Sequence, residues 1–264
     1  ASGPQAPAEA ALPACGPTAS RYDWDKDTNA TPRGNEGYSS FQTRATRTRC
    51  RKDWTLLVFM AADNDLEPYA LWDLEELEAG YESGKLLAAS STGKTDVLVQ
   101  LDTRGREGFR RLHLFQTPQP YHASLRLENF EARTAAQIKS PIVQVVPEVD
   151  AARNLISREQ QLEDFLRWGV RNYPSKNLMV IVWGHGQGWG SRTSGQAQGG
   201  IAVGETPGSR LSVPALSRVL SKITREEREG RPIEVYASDA CLMQMAEVAS
   251  EVAPHAKYII GSAQ

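Results

Sequence analysis

The chain has 264 residues, enough for one good core or two small ones, with a formal net charge of −2 and a pI near 6.2. That balance leaves no electrostatic footprint for a nucleic-acid partner. No apolar stretch reaches the about 18 residues that span a bilayer, and the opening Ala1-Ser2-Gly3-Pro4-Gln5-Ala6-Pro7-Ala8 lacks the basic and apolar regions of a signal peptide, as a mature or trimmed form would.

Residues 1–52 are rich in Ala, Pro, Ser, Thr, Gly and Asn and end in a basic run, Arg44, Arg47, Arg49, Arg51 and Lys52. They read as an N-terminal arm or pro-segment with a solvated charge run, ahead of one domain over residues 53–264. The three cysteines are Cys15, Cys50 and Cys241. They fit one disulfide in an exported protein plus one free reactive thiol, and equally three unpaired thiols in a cytoplasmic protein. Zinc is not expected, because no C-x-x-C occurs and the histidines show no ligand spacing.

From Trp54 onward, strand and helix patterns alternate. Thr55 to Ala61 predicts a buried strand, and Asp65 the cap of a helix with Leu66, Tyr69, Ala70, Leu74 and Leu77 on one face. Asp96 to Leu101 predicts a second strand, Arg110 to Phe115 a hairpin partner at a half-exposed edge, and Pro141 to Val149 a weaker strand. Ser157-Arg158-Glu159-Gln160 has the capping-box form and opens a helix with Leu162, Phe165, Leu166 and Trp168. Leu178 to Gly186 is the next buried strand, followed by a polar loop from Gln187 to Gly200 and a short strand near Ile201 to Val203. An amphipathic helix from Ser212 to Glu229 precedes the apolar run Ile233 to Cys241. Leu242, Met245, Ala246, Ala249 and Val252 then give one face of another helix, and Tyr258 to Gly261 begins a last strand. Such alternation predicts an α/β fold with one mostly parallel sheet covered on both faces.

Two of these strands end in chemistry. In an open α/β sheet ligands bind at the carboxyl ends of strands, and here one run ends at His185 and the other, 56 positions on, at Cys241. A thiol needs only partial deprotonation to attack a carbonyl, and an imidazole can return the proton to the departing amine. Gly186 lets main chain approach a substrate without a Cβ. Its N–H and that of Cys241, expected to open a helix, are the candidate oxyanion donors. Asp239, two residues before the thiol, would raise a neighbouring thiol's pKa, so it suits recognition of a cationic Arg or Lys side chain better. The competing reading is an inert Cys241 and His185 on a non-catalytic binding or partner protein. A phosphate-binding turn at Gly184-x-Gly186-x-Gly188 would need a helix to follow, and a polar loop follows instead.

Val182-Trp183-Gly184-His185-Gly186-Gln187-Gly188-Trp189 and Asp239-Ala240-Cys241-Leu242-Met243-Gln244-Met245 resemble the two signature segments of the clostripain family of cysteine peptidases, relatives of caspases, legumains and gingipains. Phe59 to Glu67 and Phe165 to Pro174 resemble the same family, and the likeness runs from about Trp54 to Gln264. It implies a caspase-like α/β/α sandwich, a His185–Cys241 dyad, and cleavage of proteins after Arg or Lys with Asp239 at the base of the pocket. It also implies an exported or cell-envelope bacterial protein, self-processed at a basic residue: Arg192, then Arg210, with the run from Arg44 to Lys52 releasing the arm. Some family members depend on calcium, for which Asp63, Asn64, Asp65 and Glu67 offer hard oxygens, although helix capping explains them as well. In the family, sequence beyond the last strand builds more of the sheet and of the pocket wall, which makes a second chain from the same precursor an expected partner.

Overall fold

The computed structural model describes residues 14, 50–78, 81–82, 85–86, 90–104, 108–115, 138, 140–149, 155–190, 199–205 and 209–264. Nine strands are described: β1 (Lys52–Ala62), β2 (Tyr81–Glu82), β3 (Lys85–Leu86), β4 (Thr95–Thr103), β5 (Phe109–His113), β6 (Ile142–Val146), β7 (Ser175–Trp183), β8 (Ile233–Asp239) and β9 (Ala256–Ile260). The helices among the described residues are α1 (Glu67–Glu78), α2 (Arg158–Asn172), α3 (Val213–Lys222) and α4 (Ala246–Val252).

The main sheet has seven strands in the order β6-β5-β4-β1-β7-β8-β9, and β2 with β3 forms a separate ladder. β4, β1, β7, β8 and β9 are mutually parallel, whereas β5 and β6 close one edge antiparallel. β1 sits in the middle because its run from Leu57 to Ala62 is apolar on both faces, as a strand covered on both sides must be. Leu57, Phe59 and Ala61 face α2, α3 and α4, joined by Leu162, Phe165, Leu166, Leu216, Val219, Val248 and Val252. Val58, Met60 and Ala62 face α1 through Ala70, Leu71 and Leu74. The result is a three-layer α/β/α sandwich, in which each fully buried Leu or Phe contributes about 2 kcal/mol of apolar burial.

The cap expected at Ser157 is present, its hydroxyl accepting from Gln160 N–H at 3.3 Å. The helix read over Ser212 to Glu229 is α only to Lys222, followed by a π-helical turn over Ile223–Glu227. Arg110 to Phe115 is not a half-exposed edge. All of β5 is buried, because β6 pairs outside it and the Arg111 guanidinium lies 4.8 Å over the Trp168 ring. The edge role passes to β6.

Lys52 belongs to the core of the fold, unlike the solvated run it was read with: it is 1% exposed, and its ammonium binds Asp96 Oδ1 at 2.6 Å and the carbonyl oxygens of Thr92 and Thr95. Cys50 is disulfide-bonded and Cys241 is a free, exposed thiol, so three unpaired cysteines are excluded. Cys15 and the basic residues from Arg44 to Arg49 lie outside the described residues.

Candidate active site

From β1 the chain moves first to β4 on one side and later to β7 on the other. The carboxyl ends of β1 and β7 therefore flank a topological switch point, the place where open α/β sheets hold ligands. His185 follows β7 beyond Gly184, whose φ of +142° turns the chain off the strand. Cys241 follows β8, the strand next to β7.

The two turns meet main chain to main chain. A Cβ built on Gly186 would lie 2.1 Å from Cys241 O and 3.0 Å from Cys241 N, so no side chain fits there. The residue after the imidazole thus touches the backbone of the thiol residue. Among the described residues, neither the Gly186 nor the Cys241 N–H enters a backbone hydrogen bond, whereas that of Gln187 is spent on Gly200 O at 2.9 Å.

Cys241 does not open a helix, contrary to the sequence reading. Cys241 to Gln244 form a turn, Leu242 adopts a left-handed φ of +62°, and α4 begins only at Ala246. The chain must reverse before a helix can lie back across the sheet, and a left-handed leucine, costing of order 1–3 kcal/mol, accomplishes that reversal. The turn is held by Leu242 N–H on Gln264 O (3.2 Å) and Gln244 N–H on Ser262 O (2.9 Å). The predicted apolar face breaks up accordingly: Leu242, Met245 and Ala246 are exposed, while Met243, Val248 and Val252 are buried. A helix dipole therefore contributes nothing at the Cys241 N–H, since it fades within the first turn.

Asp239 is the last residue of β8 and pairs in register with Trp183. The Trp183 indole N–H donates to Asp73 Oδ2 on α1 at 2.7 Å. Burial pushes the Asp73 carboxyl up to about 6, with the charges of Asp239 and Glu76 adding and the indole bond opposing. Asp239 has an exposed tip, yet the protein around it displaces enough water to raise its own carboxyl. Together the two acids give this end of β8 an anionic wall.

Asp65 is not the helix cap. Asn64 closes an Asx-turn ahead of α1, its side-chain oxygen accepting from Leu66 N–H at 2.9 Å while its amide donates to Ala61 O and Val203 O. Asp65 Oδ1 instead lies 2.7 Å from His185 Nε2, and this contact holds the Asp65 carboxyl below its ordinary value. Asp63 accepts from the buried guanidinium of Arg158 at 2.8 Å, which also binds Asp102 at 2.6 Å. The side-chain oxygens of Asp63, Asn64 and Asp65 are thus turned toward different partners, and no group of three or more His, Cys, Asp or Glu is placed to hold a metal ion among the described residues.

Arg192 lies outside the described residues. Arg210 is half-buried beside the main-chain bridge between Ile201 and Leu211, which would have to open before a protease could cut there. Sequence reasoning missed two members of the site, Asp65 as the partner of His185 and Asp73 as the neighbour of Asp239. For Asp65 a signal existed, since it follows a buried parallel strand at its carboxyl end. Nothing in the sequence marked Asp73 apart from other helix-surface acids.

The sequence profile of the clostripain family matches residues 58–264. No curated protein matches the chain. Among solved structures, a secreted C11 cysteine protease from Bacteroides thetaiotaomicron in complex with an irreversible peptide inhibitor is similar, with a TM-score of 0.53 and 21% identity over 81% of this chain and 49% of that one. An inactive zymogen C11 protease from Parabacteroides distasonis gives a TM-score of 0.52 at 21% identity, again covering 81% of this chain and 49% of the other. The chain thus spans about half the length of these proteins, and the likeness places its fold with the caspase-like sandwiches.

Proposed function

This chain belongs to the clostripain family, and from that premise we propose that it is a cysteine endopeptidase cleaving proteins after Arg or Lys. The Cys241 thiolate attacks the scissile carbonyl carbon. The oxyanion takes hydrogen bonds from the Gly186 and Cys241 N–H groups. His185, holding the thiol proton, gives it to the departing amine, which leaves a thioester. Water then attacks the thioester with His185 as base, releasing the carboxylic acid and restoring the thiol. Asp239, with Asp73 behind Trp183, receives the cationic side chain through charge-assisted bonds.

The observation that carries this proposal is the apposition of Gly186 against the Cys241 backbone, with neither N–H entering a backbone hydrogen bond among the described residues. Self-processing at Arg192, with Arg210 as a second site, belongs to the same proposal, as does a partner segment from the same precursor. Export is part of it too. No helix among the described residues is long and apolar enough to cross a membrane, and the bonded Cys50 suits an oxidising compartment.

The test is hydrolysis of a fluorogenic Arg peptide by the full-length protein beside its Cys241→Ala form, with intact mass followed over time. Turnover and new Arg or Lys termini are expected only in the wild type. Identical behaviour of the two proteins would favour a non-catalytic binding protein on this fold. A preference for a neutral residue would remove Asp239 from its role.

A further inference from the structure

Resting on that proposal, the geometry points to Asp65 as the positioning residue of the site, its carboxylate holding His185 by Nε2 and leaving Nδ1 as the nitrogen that exchanges protons with the thiol and the leaving amine. Asp65 Oδ1 lies 2.7 Å from His185 Nε2, and the two side chains are 72% and 39% exposed. An ion pair so open to water contributes about 0–1 kcal/mol to stability. That is too little to explain the turn that carries it.

The turn is built from three consecutive polar residues, each tied to a different element. Asp63 is fixed by the fully buried Arg158 at the start of α2. Buried Asn64 bonds to the end of β1 and to Val203. Asp65, next in line, reaches across to the end of β7. Arg104 is a further cation acting on Asp65, and it is itself paired with Glu205. The stiffness lies behind Asp65, and the function lies in front of it.

An imidazole has two nitrogens, and the one bound to a carboxylate is committed as N–H donor, which sets the tautomer and ring plane. With Nε2–H directed to Asp65, only Nδ1 remains to take a proton. Orientation of this kind matters to rate far more than to stability, because misplacement of a reacting group by about 1 Å costs about 100-fold.

Nitrogen-15 spectra of histidine-labelled full-length Cys241→Ala protein report the tautomer without any need for turnover. The neutral His185 is expected to carry its proton on Nε2, and Asp65→Ala in that background to shift the population toward Nδ1–H. In the active protein, Asp65→Ala is expected to lower kcat about 100-fold with KM unchanged, and Asp65→Glu to recover part of it. An Nδ1–H tautomer in the parent, or an unaltered tautomer and kcat in Asp65→Ala, would overturn the proposal. Absence of thiol-dependent turnover in the wild type with the Nε2–H tautomer present would instead sink the protease assignment and leave the Asp65 contact standing.

Discussion

Two His–Asp pairs sit at opposite ends of one sheet. At the amino end of the parallel strands, His113 Nε2 meets Asp96 Oδ1 at 2.9 Å with side chains 8% and 0% exposed. At the carboxyl end, His185 Nε2 meets Asp65 Oδ1 at 2.7 Å with side chains 39% and 72% exposed. The distances are nearly the same, and water makes the difference. Burial lowers the His113 and Lys52 pKa values against the opposing pull of Asp96. Burial also works to raise Asp96, but His113 and Lys52 outweigh it and hold that carboxyl low. Rings of Phe115 and Tyr173 enclose His113, with centroids 4.3 and 5.0 Å away. The enclosed pair fastens β1, β4 and β5 together. The open pair leaves an imidazole exposed to solvent at the carboxyl end of the sheet.

If that division holds, a mutation at one end harms activity and at the other harms folding. The largest effect belongs to His185→Ala, expected to lower kcat/KM about 1000-fold with an unmoved urea midpoint. A fall in stability comparable to the activity loss would erase the distinction between the two ends. At the amino end Asp96→Ala strands the Lys52 ammonium without its counter-ion, and about 3–5 kcal/mol of unfolding free energy should disappear. Urea unfolding measures it, and a loss below 1 kcal/mol would mean water reaches Lys52 after all.

Gly186→Ala sharpens the carboxyl-end side. Its Cβ would collide with Cys241 O, so the two turns must part. A stability loss of about 1–3 kcal/mol should accompany a sharp drop in kcat. A variant with full activity would show that the two loops need not touch.

The smallest effect concerns Asp73, raised from 3.8 to about 6. The folded protein binds this proton more tightly than the unfolded chain, so the stability it supplies is present below pH 4 and lost as pH rises through about 6. Asn never ionises and still offers Trp183 an oxygen. Asp73→Asn should therefore be more stable than wild type by about 1 kcal/mol at pH 7.5, and no more stable at pH 4. Unfolding curves at the two pH values decide it; equal gains at both would assign the effect to packing.

Much of this arrangement was legible in the chain. β1, β4, β7 and β8 announce themselves as apolar runs, and the strand ends carry His185 and Cys241 where a parallel sheet presents them to solvent. The Ser157 cap was readable because it depends on four neighbouring residues. The burial of β5 was not, since only the outer partner β6 decides whether alternating residues see water. Nor was the turn at Leu242 or the pairing of Asp65, 120 positions from His185.

Local pattern alone therefore determined the strands, most helices and the family likeness, because periodicity and capping act over a few residues. Tertiary structure decided which strand lies beside which. That adjacency brings the ends of β1, β7 and β8 together, commits one His–Asp pair to the interior and leaves the other in water. The two pairs have the same chemistry, and the dielectric around each gives it its task.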